Sequence, residues 1–255
     1  MTALPALTGI WLRLWVPESP LYLQRTKQSK QLRENLNLVL RTNGKPALYD
    51  GDTIEELAPA PRISLFSPAL RRRTITILCV WLLVSISYYG VFTWLPARLA
   101  DQGFGYVRGY GFLVLVALAQ IPGYALAAWG VDAVGRKPTL VAFLILSTMG
   151  CALFLVAGDG LLLGAAILLM SFALLGTWGA LYAFTPELFP TVLRGTGMGA
   201  AGSVARLGGL LAPSVLAIVF AQGFSTAIAL FALLLALGAV AALLVDAETK
   251  DAVLI

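Results

Sequence analysis

The chain has 255 residues, of which 59% are hydrophobic and only 12% charged, and its mean hydropathy is +0.84. Because soluble domains carry roughly a quarter charged residues, this composition excludes an ordinary soluble protein and indicates that the lipid bilayer is the solvent of the chain. The net charge of +5 does not indicate a nucleic-acid partner, since the basic residues gather in loops beside apolar runs.

The sequence also lacks the residue patterns of common catalytic sites. Histidine is absent, which excludes imidazole bases, Ser/His and Cys/His nucleophiles and histidine metal sites. The two cysteines, Cys79 and Cys151, give neither a disulfide framework nor metal-ligand spacing. No Gly-x-x-x-x-Gly-Lys motif is present, so ATP is not expected as a driving force. We therefore expect no enzyme, no cofactor and no metal.

The chain begins with a short apolar stretch followed by a long polar one. Residues 1–16 are too short to span a bilayer, and we interpret them as the end of a transmembrane helix. Residues 17–73 contain ten Lys or Arg and are interpreted as a cytoplasmic loop. Within this loop, leucine and valine recur at helical spacing, which predicts an amphipathic helix around Gln28–Arg41.

Six apolar runs follow, each long enough to cross the hydrocarbon core as a helix. The predicted spans are Thr74–Leu95, Tyr110–Val131, Pro138–Ala157, Leu161–Phe184, Thr196–Ala221 and Ser225–Val245. Residues 74–245 are thus expected to form a six-helix membrane unit, followed by the tail 246–255. Fourteen Lys or Arg fall on the side of the long loop and two, Arg98 and Arg108, on the other, so we expect the loop and the tail to be cytoplasmic.

Short motifs lie at the ends of these spans. They are Pro17-Glu18-Ser19-Pro20, Gly130-Val131-Asp132-Ala133-Val134-Gly135-Arg136-Lys137, the run from Pro186 to Gly197, and Glu248-Thr249-Lys250. Their order and spacing resemble the major facilitator superfamily, in the branch of sugar porters, organic-ion transporters and niacin-type transporters. That family has twelve helices in two halves. The resemblance implies an all-α integral membrane fold in which this chain matches the end of helix six, a cytoplasmic loop and the C-terminal six-helix half.

The same resemblance implies a mechanism. It implies secondary transport by alternating access in the cell inner membrane, with the substrate bound near the midplane between the halves. It further implies that Asp132, Arg136, Glu187 and Arg194 form a cytoplasmic charge network that latches one conformation; the alternative is that these charges only set topology and neutralise helix ends. Symport with a proton would need an intramembrane acid, which the six spans lack, so that acid would belong to the N-terminal half.

One charged residue lies inside a predicted span. Arg206 is about ten residues into the fifth span, which is about 15 Å deep, and a cation there costs at least about 2.5–3.5 kcal/mol on insertion scales. Gly202, Ser203 and Gly209 share its helical face and leave room beside the guanidinium. The carboxylate of a substrate is a natural partner for this group, and backbone carbonyls or an acid from the other half are the alternatives.

Polar and aromatic side chains of other spans complete the predicted substrate site. Gln120 and Tyr124 lie four residues apart in the second span, Tyr88 belongs to an aromatic stripe of the first, and Trp178 and Tyr182 lie four apart in the fourth. Aromatic rings with a few amide and hydroxyl groups suit a flat aromatic ligand, although such stripes are also common in helix packing.

The sequence therefore favours transport of a small organic anion across the bilayer, such as an aromatic, nicotinate-like carboxylate. Arg206 favours an anion, and Tyr88-Tyr89-Gly90 resembles bacterial niacin-type transporters. Two alternatives remain open: a truncated or half-transporter that needs a separate N-terminal half as partner, and a sugar porter.

Overall fold

The computed structural model describes residues 15–49, 51–54, 63–94, 110–158, 160–220 and 223–250. The predicted helix end at 1–16 lies outside these ranges except for its last two residues, and so do Arg98, Arg108 and the last five residues of the tail. The chain divides into two compact units, Met1–Arg62 and Ile63–Ile255.

The described residues of the first unit contain two short helices, α1 (Pro20–Arg25) and α2 (Ser29–Thr42). Helix α1 begins with Pro20 at its first position, where the missing N–H of proline leaves no helical hydrogen bond unmade. The two helices pack together and bury Leu23 and Leu32. Helix α2 lies at the position of the predicted amphipathic helix, whereas α1, with six residues, is too short to show a hydrophobic period in the sequence.

Within the described ranges of the second unit, six helices are long and apolar enough to cross a membrane. They are α3 (Arg71–Tyr89), α4 (Tyr110–Ala133), α5 (Arg136–Val156), α6 (Gly160–Glu187), α7 (Arg194–Phe220) and α8 (Phe224–Leu243). A π-helical segment, Gly90–Trp94, continues α3. The prediction of an all-α fold with six spans is confirmed.

Several helices extend beyond the predicted apolar runs. Helix α3 begins at Arg71 rather than Thr74, and α6 continues to Glu187, three residues past the predicted end. Hydropathy marks only the segment inside the hydrocarbon, while a helix can continue through charged residues once its backbone has left that layer. The charged residues at these helix ends therefore have a helical backbone and are available for polar contacts.

The packing of the six helices is uneven. Helix α5 packs on α6 and α8, α3 packs on α7 and α8, and α4 packs mainly on α6. Two glycines permit close approach: Gly123 of α4 faces the backbone carbonyl of Phe172, and a Cβ added at Gly208 of α7 would lie 2.8 Å from Cβ of Ser85. Contacts of this kind hold α4 against α6 and α7 against α3.

Helices α4 and α7 are the least covered of the six. Only 11% of the most apolar stretch of α4 and 12% of that of α7 are buried, against 39–56% in the other four helices. Since both are apolar, a broad face of each is left for lipid or for another protein.

Candidate functional site

Helices α3, α4, α6 and α7 surround a cleft with a volume of about 310 Å³. The cleft is lined by Tyr88, Tyr89, Tyr124, Leu175, Trp178, Tyr182, Gly202, Ala205 and Arg206. Five of the six predicted substrate-site residues belong to this set. The sixth, Gln120, does not line the cleft, although it lies half-buried one turn before Tyr124 on α4.

The charged wall of the cleft is Arg206 on α7. It is the thirteenth of the 27 residues of that helix, so it lies near the middle of the span. Its side chain points back toward the start of α7, as helical side chains do, and Nη1 would lie 3.0 Å from a Cβ added at Gly202. Glycine four residues earlier thus leaves space for the guanidinium.

No carboxylate within the described ranges forms an ion pair with Arg206. The described acids of the six helices are Asp132 and Glu187, and both lie at helix ends. The guanidinium is exposed in the cleft. Because a mid-span cation is costly without a counter-charge, this group is a site for an anion or for an acid of another protein.

The aromatic wall comes mainly from α6. Leu175, Trp178 and Tyr182 are three and four residues apart, which places them on one helical face. The Trp178 ring lies 5.8 Å from the Tyr182 ring at 36° and 5.7 Å from the Tyr88 ring at 90°. Tyr124 of α4 completes this wall, since its ring would lie 3.2 Å from a Cβ added at Gly179.

Tyr89 is a cleft residue that the sequence reasoning missed. A helical period assigns adjacent residues to different faces, so it predicts only Tyr88 as a site residue. In the structure the Tyr89 ring packs on Gly209 of α7, where an added Cβ would lie 2.9 Å away, and the two tyrosine rings are 5.5 Å apart. The sequence does contain a signal for this contact, because Gly209 belongs to the small-residue face around Arg206 and leaves room for a ring from another helix.

Behind this wall lies Trp81 of α3, which is fully buried. Its ring is 5.3 Å from Trp178 and 4.9 Å from Tyr182. Its indole N–H donates to Oγ1 of Thr185 at 2.9 Å, and Thr185 donates in turn to the carbonyl of Leu181 at 2.7 Å. Trp81 therefore fixes the rear of the aromatic wall through a satisfied hydrogen bond.

A second polar cluster lies at the ends of α4, α5, α6 and α8. The Arg136 guanidinium donates to both oxygens of Glu187, at 2.8 and 3.1 Å, and to the carbonyl of Val131 at 2.9 Å. Asp132 is a weaker partner, since it is 3.6 Å from Arg136 and its side chain is 81% exposed. Thr249 of the tail donates to Glu187 as well.

The carboxylate of Glu248 caps the start of α5. Its two oxygens accept the backbone N–H groups of Arg136 at 2.9 Å and Lys137 at 3.0 Å, next to Gly135, whose φ of 124° requires glycine. Burial alone would raise the pKa of Glu248, but backbone donors from Lys250, Arg136, Lys137 and Thr249 hold that pKa below its usual value. The sequence shows the Glu248-Thr249-Lys250 motif at the end of the last span, but the predicted network does not include its residues.

Three of the four residues of the predicted charge network, Asp132, Arg136 and Glu187, thus lie together. Arg194 is not brought into this cluster: its guanidinium donates to the carbonyl of Phe189 at 3.3 Å, and it forms no ion pair with an acid in the described part of the chain. The turn between α6 and α7 supplies that carbonyl five residues before Arg194, which satisfies the side chain locally.

The six apolar helices, the midplane cation and the aromatic cleft define a multi-pass membrane protein with a small polar site between its helices. The family model of the Major Facilitator Superfamily matches residues 1–213 and, in a second match, residues 112–254. The chain belongs to this superfamily. This membership confirms the predicted family, and it confirms the prediction that the chain is not an enzyme.

Curated relatives match nearly the whole chain. It is 34% identical over 254 residues to the putative niacin/nicotinamide transporter NiaP of Bacillus subtilis, covering 98% of this chain and 57% of that protein. It is 34% identical over 252 residues to the niacin transporter NiaP of Acinetobacter baylyi, covering 97% and 57%. The chain therefore spans little more than half the length of these relatives.

A solved structure supports the fold. The proton:xylose symporter XylE, bound to 6-bromo-6-deoxy-D-glucose, superposes with a TM-score of 0.71 over 99% of this chain and 56% of that one. The sequence identity is 17%, so this likeness concerns the fold alone. It agrees with the predicted six-helix half of a twelve-helix fold.

Proposed function

We propose that this chain is the C-terminal half of a secondary transporter for a small organic anion, and that an aromatic carboxylate of the nicotinate type is its substrate. The observation that carries the proposal is the exposed guanidinium of Arg206 at mid-span, in a cleft lined by five aromatic side chains and without a carboxylate partner in the described residues. The substrate carboxylate would supply the missing charge.

The size and chemistry of the cleft fit one aromatic ring. Its volume of about 310 Å³ is at the small end of the range for ligand pockets. Aromatic side chains from α3, α4 and α6 offer faces and edges for stacking, and guanidinium binds carboxylate in a two-pronged geometry. The niacin transporter of Acinetobacter baylyi supports the same substrate class, whereas the name of the Bacillus subtilis relative also includes nicotinamide, the neutral amide.

Transport would require a second six-helix half. Residues of the two least covered helices, α4 and α7, line the cleft, and a half packed on these helices would complete the site and alternate between two access states. We propose that residues 17–73 and the tail are cytoplasmic, as the Lys and Arg bias predicts. A coupling proton, if used, would be carried by an acid of the other half.

In this scheme the cluster of Arg136, Glu187, Asp132, Glu248 and Thr249 holds the cytoplasmic ends of α4, α5, α6 and α8 together in one conformation. This extends the predicted latch to the tail and omits Arg194. Apart from the Asp132–Arg136 contact, these contacts join residues far apart in sequence, so relative movement of the helix ends must break them.

Uptake of radiolabelled nicotinate into proteoliposomes tests the proposal, with the chain alone and with a co-expressed six-helix N-terminal half. Nicotinamide, which has a neutral amide in place of the carboxylate, is the matched control ligand, and xylose tests the sugar-porter alternative. We expect nicotinate uptake that nicotinamide and xylose do not inhibit at equal concentration. Inhibition by xylose or nicotinamide equal to that by unlabelled nicotinate would refute a carboxylate site. Uptake only with the added half would identify a half-transporter.

A further inference from the structure

Three consecutive arginines begin α3, and only the third has a side-chain partner in the described part of the chain. The guanidinium of Arg73 donates to a carboxylate oxygen of Asp246 at 3.2 Å and to the carbonyl of Leu188 at 3.3 Å. Arg71 and Arg72 are exposed, and their side chains form no hydrogen bond or ion pair with the described residues. The helix therefore directs one arginine toward the protein and two away from it.

The two outward arginines continue an exposed side of α3 that is otherwise apolar. Ile75, four residues after Arg71, is 54% exposed, and Cys79, four residues further on, is exposed as well. Thr74 and Ile77 are fully buried on the opposite side, through which α3 packs on α7 and α8. An apolar side chain that is exposed within a membrane span is suited to contact acyl chains.

The position of the two arginines along α3 matches the level of the lipid headgroups. They precede the apolar run, which begins at Thr74, by two and three residues, or about 3–5 Å along the helix axis. Arginine side chains at the end of a span extend their charge toward the polar interface. A guanidinium binds the oxygens of a phosphate through two parallel hydrogen bonds, so a phospholipid headgroup complements both its charge and its shape.

We propose that Arg71 and Arg72 bind the headgroup of an anionic phospholipid whose acyl chains lie along Ile75 and Cys79. Phosphatidylcholine is a poorer ligand, because its own ammonium group neutralises its phosphate. Each arginine near an anionic lipid surface strengthens binding about fivefold, so the pair should prefer an anionic to a zwitterionic lipid about 10- to 30-fold. Neither arginine lines the cleft, and this inference is independent of the proposed substrate.

Fluorescence quenching by spin-labelled lipids tests this inference on the full chain reconstituted in phosphatidylcholine vesicles. A bimane fluorophore on Cys79 reports the lipids beside α3, and Cys151→Ala removes the other cysteine of the chain. Phosphatidylglycerol and phosphatidylcholine that carry the same doxyl-labelled acyl chain are compared over a range of mole fractions. We expect the phosphatidylglycerol probe to reach half-maximal quenching at a mole fraction at least about tenfold lower.

The neighbouring arginine provides a matched control. The double variant Arg71→Gln, Arg72→Gln should reduce the preference for phosphatidylglycerol to less than about twofold, because no free guanidinium remains at this end of α3. Arg73→Gln removes a charge from the adjacent residue, but it should keep the preference, since that guanidinium is bound to Asp246 and Leu188. The double variant Arg71→Lys, Arg72→Lys keeps both charges without the two-pronged geometry and should give an intermediate preference.

Four outcomes would overturn the lipid site. Equal quenching by the two probes in wild type, or a preference that the double glutamine variant retains, would show that these arginines do not select the lipid. A loss in Arg73→Gln as large as in the double glutamine variant would show that net charge alone attracts it. Absence of quenching by either probe would show that this side of α3 is covered by protein. None of these results bears on Arg206 and the proposed function.

Discussion

Replacement of Arg206 by glutamine should separate ligand binding from folding. The substitution removes the mid-span cation but keeps a polar, uncharged side chain at the cleft. Hydrogen bonds to charged groups are worth about 1.5–3 kcal/mol, so loss of the guanidinium should weaken carboxylate binding by about 10- to 150-fold. Arg206→Lys should fall in between, because an ammonium keeps the charge without the two-pronged geometry.

Stability should not decrease along with affinity. A charged side chain at mid-span costs about 2.5–3.5 kcal/mol on insertion scales, and the described residues provide no counter-charge for Arg206. The ligand-free glutamine variant should therefore be at least as resistant to thermal unfolding in detergent as wild type. A merely structural arginine would give the opposite result.

A thermal-shift titration with nicotinate measures both effects. A ligand at one hundred times its Kd stabilises the folded state by about 2.7 kcal/mol. If Arg206→Gln raises Kd about 30-fold, the same concentration gives only about 0.9 kcal/mol. Full ligand stabilisation of the variant, or a large loss of stability without ligand, would refute the assignment of Arg206 as the carboxylate-binding residue.

Five other substitutions test the packing and the helix-end cluster. Glu187→Gln should destabilise the fold by about 1–3 kcal/mol, because it breaks a two-pronged pair at 2.8 and 3.1 Å, while Asp132→Asn should cost less than about 0.5 kcal/mol at an exposed 3.6 Å contact. The reverse order in denaturation assays would contradict this assignment. Gly123→Ala should destabilise by about 1–3 kcal/mol, since its Cβ meets the carbonyl of Phe172, whereas Gly199→Ala, with no atom within 4 Å, should be neutral or stabilising. Equal melting temperatures of these two variants would count against the close packing of α4 on α6. Because the pKa of Glu248 is held below 4.5 in the folded state, its carboxylate stabilises the protein above that value and this contribution is lost as pH falls through the lower folded pKa. The melting-temperature advantage of wild type over Glu248→Gln should accordingly shrink below about pH 4.5, and a constant difference down to acid pH would exclude the capping role.

The sequence predicts the membrane unit well because hydropathy reports a physical requirement. A backbone inside hydrocarbon must be helical over about 20 residues, so each apolar run identifies one helix. The same criterion cannot find helix ends such as Arg71–Arg73 of α3, because these residues are charged and lower the hydropathy of the segment.

The site is predictable in part for a related reason. Arg206 is conspicuous because its charge is costly where it lies, and periodicity places Trp178 and Tyr182 on one face. Periodicity cannot show which helices become neighbours, so it missed Tyr89, whose place in the cleft depends on Gly209 of another helix. It also could not foresee that a backbone carbonyl at Phe189 would satisfy Arg194.

Through the cap formed by Glu248, the tail contributes hydrogen bonds to the membrane bundle, although it lies outside the six spans. One side chain from beyond the last span satisfies the first two N–H groups of α5, and Lys250 reaches back to the carbonyl of Ala133. Cleavage before Glu248 would expose these groups to water without altering any apolar contact between the spans. An affinity tag or protease site placed at this junction would therefore act as a perturbation of the start of α5, and a purification handle for this protein belongs elsewhere on the chain.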